Sequence, residues 1–151
     1  AKSGNREEII LSATAVLSDA KIDPELEYEA RHYRAKALVE AGQVQHAAQD
    51  WEVLAKDTRN VYGAEAKYRL AQYLFDSGKT AEAEKEVLNY MEVSTPHAYW
   101  LARSFVLLSD IYVKLDRQLE ARQYLLSLKQ NYQADDDIAG MIESRLEKLN
   151  E

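Results

Sequence analysis

The chain has 151 residues and carries 26 Asp and Glu against 19 Lys and Arg, so its formal net charge is −7 at pH 7. Because a nucleic-acid backbone attracts proteins that present a basic field, this balance argues against nucleic acid as a partner. The absence of cysteine excludes disulfides, thiolate metal sites and cysteine nucleophiles.

The composition favours an all-α protein that forms one domain. Only five glycines and two prolines interrupt a chain that is rich in helix-forming residues, and its length fits a single domain. No apolar run approaches the roughly 18 residues that span a bilayer, so we expect no direct insertion into a membrane.

Apolar residues spaced three and four apart predict eight helices in chain order. Two starts are well marked, because Asp23 before Pro24 and Thr95 before Pro96 place a capping side chain before a proline in the first helical position. The last helix follows three aspartates and carries an apolar stripe, which favours a terminal capping helix over an acidic recognition tail. The predicted helices cover residues 5–20, 24–41, 44–58, 61–77, 80–93, 97–115, 118–132 and 136–150.

Three segments of the sequence resemble one another, and each is predicted to form two helices joined by a tight turn. A small residue precedes each turn, and an alanine and then a large apolar residue follow it. Small side chains allow antiparallel helices to approach closely, and large ones fill the space beside them. The turn residues are Gly42, Gly78 and Asp116, the alanines are Ala47, Ala83 and Ala121, the small residues are Ala35, Ala71 and Ser109, and the large residues are Trp51, Val87 and Leu125.

These motifs resemble the tetratricopeptide repeat, whose pattern runs Leu-Gly-x-x-Tyr, then Ala-x-x-x-Phe, then Pro. The third segment matches most clearly, with Leu108 and Tyr112 followed by Ala121 and Leu125. The copies depart from the pattern at Arg34, where leucine is usual, and their spacing exceeds the usual ~34 residues. The resemblance implies a right-handed α–α superhelix of about three and a half helix-turn-helix repeats with a C-terminal capping helix.

The resemblance covers most of the chain and predicts its internal organisation as one TPR-like domain. The first unit is a half repeat that lacks its first helix, which predicts that the chain is a fragment of a longer protein. The expected units are the half repeat at 5–22, the repeats at about 24–58, 61–93 and 97–132, and the capping helix at 136–150.

Gly78, Lys79 and Thr80 reproduce the end of a phosphate-binding P-loop, but the rest of that motif is missing. A P-loop needs a glycine five residues before its Gly-Lys pair, and that position holds Tyr73. A P-loop also follows a β-strand, whereas a predicted helix precedes this segment. The segment therefore predicts a turn in which Gly78 ends one helix and Thr80 caps the next.

No constellation of residues predicts a metal site, a cofactor site or a catalytic centre. His32, His46 and His97 fall in different helices without a second ligand on the same face. The serines within the helices lack the strained strand-to-helix turn that exposes a hydrolase nucleophile. We therefore predict that the protein is not an enzyme and uses no cofactor.

The resemblance also implies where a partner would bind, because the first helix of each repeat lines the concave side of such a superhelix. The groove positions combine both charge signs with aromatic residues near the centre, which suits an extended peptide or a partner helix. Ordinary solvated positions would give a similar pattern. The Lys and Asn positions with which family members clamp a chaperone's C-terminal carboxylate are not reproduced here. The predicted groove residues are His32, Lys36, Glu40, Tyr68, Gln72, Phe75, Arg103, Asp110 and Lys114.

These observations predict a non-catalytic interaction module that binds a protein or peptide and serves as a scaffold for complex assembly. The alternative is a structural spacer or oligomerisation segment of a larger protein, and the sequence leaves the oligomeric state open. Cysteine usage permits both the cytoplasm and the periplasm. The resemblance to divergent bacterial repeats of cell-envelope assembly proteins favours the periplasm or cell envelope over the cytoplasm.

Overall fold

The computed structural model describes residues 2–150, except for the side chains of residues 2 and 3, and this part of the chain is helical with no strand. The prediction of an all-α protein is therefore confirmed, and the order of the helices agrees with the order predicted from the sequence. The helices are α1 (Lys2–Leu17), α2 (Pro24–Glu40), α3 (Val44–Leu54), α4 (Val61–Asp76), α5 (Thr80–Glu92), α6 (Ala98–Lys114), α7 (Gln118–Asn131) and α8 (Ile138–Leu149).

The described helices pack in two layers, and only in one of them do the helices of the layer contact one another. Each helix contacts the next one along the chain, and in addition α2 contacts α4, α4 contacts α6, and α6 contacts α8. Within residues 2–150, α1, α3, α5 and α7 make no such contact with one another. We call the two sets the even layer and the odd layer; the even layer is a continuous row of helices.

The three turns predicted from the repeat have the same backbone geometry. Gly42 and Gly78 have φ of 76° and 80°, and Asp116 has φ of 59°, so all three occupy the left-handed region. After each of them the next backbone N–H donates to a carbonyl five residues back, as in Lys79 N to Leu74 O at 2.9 Å. This is the Schellman pattern that satisfies the last carbonyls of a helix. The turn at Gly78 is thus confirmed as a helix end.

The small residues of the repeat lie where neighbouring helices meet. Ala47, Ala83 and Ala121 are fully buried. The three residues that precede the turns and the three large apolar residues are buried as well. Except for Ser109, these residues belong to three hydrophobic clusters, which lie in the α2 to α4, α4 to α7 and α6 to α8 regions. All nine positions marked by the sequence pattern are therefore buried, as expected for sites where neighbouring helices approach closely.

Several helix ends differ from the prediction. Asp23 caps α2 as expected, since its Oδ1 accepts a hydrogen bond from Glu25 N at 2.9 Å. Thr95 Oγ1 accepts from His97 N at 3.1 Å, but α6 begins at Ala98, so the proline lies before the helix. The prediction that Thr80 caps α5 is wrong, because Thr80 is the first helical residue and Lys79 at the cap position makes no side-chain capping bond.

Helix α3 ends earlier than predicted because α4 begins on top of its C-terminal turn. Asn60 caps α4, and its Oδ1 accepts from the backbone N–H groups of Tyr62 and Gly63 at 2.9 and 3.3 Å. A Cβ atom added at Gly63 would lie 1.8 Å from the carbonyl oxygen of Asp57. Glycine therefore permits a backbone approach that any other residue would prevent.

Arg34, which replaces the leucine of the repeat pattern, connects α2 to α3 through a buried carboxylate. Its Nε and Nη2 donate to the two oxygens of Asp50 at 2.8 and 2.6 Å, and Arg31 Nη1 donates to Asp50 at 3.2 Å. Asp50 is 1% exposed. A bidentate ion pair thus takes the place of an apolar contact at this position.

Candidate binding groove

All nine residues predicted for the groove lie on the even layer and line one or more of three clefts. Their helices contact one another in sequence, from α2 through α4 to α6, and α8 extends the row. Helix α2 carries His32, Lys36 and Glu40, helix α4 carries Tyr68, Gln72 and Phe75, and helix α6 carries Arg103, Asp110 and Lys114. The structure therefore brings the predicted set onto one face.

The first cleft, which we call the α2–α4 cleft, has a volume of about 510 Å³. His32, Lys36 and Glu40 line it from α2, and Arg69 and Gln72 are among the residues that line it from α4. Trp51, Val44, Val39 and Tyr73 supply its apolar surface. The cleft is mixed in charge, with acids and bases on both helices.

The side chain of His32 lines this cleft and packs against an aromatic residue of α4. Its ring stacks on Tyr62, with ring centroids 4.3 Å apart. Burial lowers the pKa of His32 below its ordinary value of 6.5, although Glu65 acts in the opposite direction. The imidazole is therefore neutral at neutral pH and offers the cleft an aromatic face with hydrogen-bonding nitrogens.

The second cleft, the central cleft, is the smallest at about 190 Å³. Tyr68 and Gln72 line it from α4, Arg103 and Asp110 from α6, and Arg145 from α8, together with apolar side chains. The hydroxyl of Tyr68 donates to Gln72 Oε1 at 3.2 Å. This cleft therefore joins three helices of the even layer.

Tyr68 is 5% exposed and lies beneath the groove rather than open to it. Trp100 stacks beside it at 5.8 Å between ring centroids. The guanidinium carbons of Arg69 and Arg103 lie 5.6 and 5.0 Å from the Tyr68 centroid, and both also lie over Trp100. Stacking of a guanidinium on aromatic rings fixes its position. Tyr68 thus exposes little surface to the groove, and its main contribution is to position the guanidinium groups of Arg69 and Arg103.

Arg103 has few polar partners of its own. Its Nη1 donates to the hydroxyl of Tyr99 at 3.3 Å. Its Nε is buried and has no hydrogen-bond partner among the residues that the structure describes. No carboxylate of residues 4–150 forms an ion pair with it. The central cleft therefore contains a positive charge with which no carboxylate of residues 4–150 forms an ion pair. Tyr99, which accepts from Arg103, also donates to Asp137 at 2.9 Å.

The third cleft, the α6–α8 cleft, is the largest at about 650 Å³. Its apolar lining comes from α4, α6, α7 and α8, and its polar lining comes from α6, α8 and the start of α7. The apolar residues are Phe75, Val113, Leu125 and Leu149, and the charged residues are Asp110, Lys114, Arg145 and Lys148. Phe75 and Lys114, both predicted for the groove, thus meet in this cleft.

Neighbouring clefts share lining residues. Gln72 lines both the α2–α4 cleft and the central cleft, while Asp110 and Arg145 line both the central cleft and the α6–α8 cleft. The three clefts therefore lie side by side across the even layer, and we call them together the even-layer groove.

Sequence reasoning missed the contribution of α8 to this groove. Arg145 and Lys148 line it, and Met141 does so one turn before Arg145. These residues lie at the edge of the apolar stripe of α8, with the three- and four-residue spacing of one helix face. The sequence predicted α8 only as a capping helix, so Arg145 and Lys148 were not included in the predicted groove. Glu65 and Arg69 of α4 were also missed.

The remaining sequence candidates lie outside the groove. His97 Nε2 lies 2.9 Å from the carbonyl oxygen of Arg59. In the part of the chain that the structure describes, no group of His, Cys, Asp and Glu residues could hold a metal ion. Across the same residues, the helices are too short or too polar to cross a membrane. Lys79 lies exposed in the turn between α4 and α5.

No protein-family model, curated protein or solved structure matches the chain. The repeat assignment therefore depends on the residues of the three copies and on the contacts between the helices.

Proposed function

We propose that the protein is a non-catalytic interaction module of the tetratricopeptide-repeat type, which binds a peptide or a partner helix in the even-layer groove. The observation that carries this proposal is that all nine residues chosen from the repeat pattern line the three adjoining clefts. This arrangement gives an extended partner contacts with three successive helices of the even layer.

The packing of the helices supports a superhelix with the groove on its concave side. Members of the even layer contact one another, whereas described members of the odd layer do not. Because the layer with closer helices must be the shorter one, the row curves toward the even layer. Stacked helix pairs with this arrangement create an extended concave surface that can follow a bound chain.

The chemistry of the groove supports a peptide as the ligand. Apolar side chains such as Phe75 and Trp51 line the clefts beside amides, carboxylates and guanidinium groups. Protein interfaces combine an apolar centre with polar and charged positions at the rim, and aromatic and arginine side chains are enriched in them. The groove has this composition along its length.

Blocking the groove tests the proposal. A library of random peptides displayed on phage is selected against the purified protein, and the strongest peptides are resynthesised with a fluorescent label. The variant Gln72→Trp places a large side chain where the α2–α4 and central clefts meet, so we expect at least about tenfold weaker binding in fluorescence anisotropy, equivalent to ~1.4 kcal/mol. Gln72 is partly exposed, so this change is compatible with folding.

The matched control is Gln123→Trp, which makes the same replacement at an exposed position of α7 in the odd layer. Both variants should retain the far-ultraviolet circular dichroism of the parent protein. Binding that Gln72→Trp leaves unchanged, or that Gln123→Trp abolishes, would contradict a site in the even-layer groove.

A structural role is the second candidate, and the exposed apolar surface of α1 favours it. Leu11 exposes 69% of its surface, on a helix whose only helix contact among the described residues is with α2. If this face joins copies of the chain, Leu11→Glu should reduce the mass measured by sedimentation equilibrium at high protein concentration. A parent protein that is monomeric under those conditions would eliminate self-association through α1.

A further inference from the structure

The α6–α8 cleft combines an apolar interior with positive charge that the described residues do not neutralise. Leu125 is buried at its base, and Phe75 and Leu149 are half-buried beside it. Lys114, at the end of α6, and Lys148, at the end of α8, line the same cleft. Neither lysine forms an ion pair with any side chain of residues 4–150.

The one acidic residue of the cleft is already paired. Asp110 accepts from Arg145 Nε at 2.8 Å and from Arg145 Nη2 at 2.9 Å. In this bidentate geometry both carboxylate oxygens of Asp110 bind Arg145, so Asp110 does not pair with Lys114 or Lys148. The cleft therefore has an excess of two positive charges, those of Lys114 and Lys148.

The central cleft adds a third positive charge next to it. Arg103 is held over Tyr68 and Trp100, and its buried Nε has no partner among the described residues. Asp110 and Arg145 line both clefts, so Arg103 lies along the same path as the lysines. The charge excess thus extends from one cleft into the next.

This positive region contrasts with the rest of the molecule. The chain as a whole carries a net charge of −7. The α2–α4 cleft at the other end of the groove contains Glu40, Glu65 and Asp76 as well as Lys36 and Arg69. A local excess of positive charge in an acidic protein attracts a partner of negative charge and repels basic peptides.

We infer that the C-terminal end of the even-layer groove recognises an acidic peptide that carries a large apolar side chain. The apolar side chain enters the α6–α8 cleft and packs on Phe75 and Leu149 above the buried Leu125. Neighbouring carboxylates pair with Lys114 and Lys148. An acidic residue further along the peptide reaches Arg103. This inference rests on the proposed function, because it specifies the ligand of the same groove.

Charge reversal with a matched control tests the inference. The peptides selected from the random phage library should be enriched in Asp and Glu next to a large apolar residue. The variant Lys114→Glu with Lys148→Glu should bind the labelled acidic peptide at least about tenfold more weakly and show a shallower dependence on salt. The control Lys56→Glu with Lys85→Glu makes the same change in net charge at exposed positions away from the groove, and should bind like the parent protein.

Two further measurements separate charge from shape. Lys114→Arg with Lys148→Arg keeps both charges and should retain binding, while replacement of the peptide's apolar residue by alanine should weaken binding at least about tenfold. Equal loss in the control pair would show that net charge alone matters and would overturn the inference. Selected peptides that are neutral or basic would overturn it as well, but would leave the proposed function intact if Gln72→Trp blocks them. Selection of no peptide at all would contradict both.

Discussion

Replacing Asp50 by asparagine tests the most deeply buried charged side chain among the residues that the structure describes. Asp50 is 1% exposed and accepts hydrogen bonds from Arg34 and Arg31, which come from α2. Asparagine keeps the volume and one acceptor oxygen but removes the negative charge. Two neighbouring guanidinium groups then remain without a carboxylate between them.

The size of the effect follows from how far the two arginines are buried. Removal of one partner from a buried ion pair costs about 3–5 kcal/mol. The side chains of Arg34 and Arg31 retain 20% and 22% exposure, so water can replace part of the lost interaction. We therefore expect Asp50→Asn to lower the free energy of unfolding by about 2–3 kcal/mol, near or below the lower end of that range.

Urea denaturation at constant pH, followed by circular dichroism, measures this difference. The control Asp135→Asn removes a carboxylate that is exposed in the loop before α8, and should change stability by less than about 0.5 kcal/mol. Arg34→Met in both backgrounds completes a double-mutant cycle, in which we expect a coupling above ~1 kcal/mol. A cost for Asp50→Asn no larger than that of the control would refute the role of this ion pair in joining α2 to α3.

Three further predictions concern backbone geometry and protonation. Gly63→Ala would place a Cβ 1.8 Å from the carbonyl oxygen of Asp57, so we expect the free energy of unfolding in urea to fall by more than ~2 kcal/mol. The control Gly140→Ala, whose Cβ meets open space, should instead raise it by roughly 0.5–1 kcal/mol. Equal effects of the two variants would contradict the close approach at Gly63. Asp116→Gly relieves a left-handed residue with φ of 59° and should raise the melting temperature, whereas a lower melting temperature would show that this residue is unstrained. Because burial lowers the pKa of His32, its NMR titration midpoint should lie below pH 6.5. As the pH decreases below 6.5, the unfolded chain protonates this histidine before the folded chain does, so the free energy of unfolding falls. A titration midpoint above pH 6.5 in the folded protein would contradict this reasoning.

The helical fold was largely readable from the sequence because its determinants are local. Gly42 and Gly78 mark turns that need a left-handed residue, and alanines such as Ala83 mark positions where two helices approach. Both signals depend on residues within one helix pair. The prediction extended correctly to Asp116, whose side chain is tolerated in the left-handed region.

The errors concern helix ends, whose exact positions depend on backbone contacts that the spacing of apolar residues does not encode. The early end of α3 depends on the packing of Gly63 against Asp57, which no periodicity reveals. Thr80 is a common capping residue, but the Schellman turn at Gly78 makes Lys79 the cap position. Local propensity identified the turn and could not determine which residue would begin the next helix.

The candidate groove was predictable in position and incomplete in composition. The resemblance to the repeat family placed the groove positions on α2, α4 and α6, but Tyr68 is buried because Trp100 of α6 stacks on it. Arg145 joins the groove through its pair with Asp110, and these residues are on different helices. Such pairings arise only when the helices pack.

Mapping a bound peptide on the protein by NMR tests the central claim most directly. An isotope-labelled sample is titrated with the strongest peptide from the selection, and changes in backbone amide shifts are assigned along the chain. We predict saturable changes that concentrate in α4, α6 and α8, including the amides of Gln72, Asp110 and Lys148. Changes confined to α1, α3, α5 and α7 would place the site on the other layer and contradict the account.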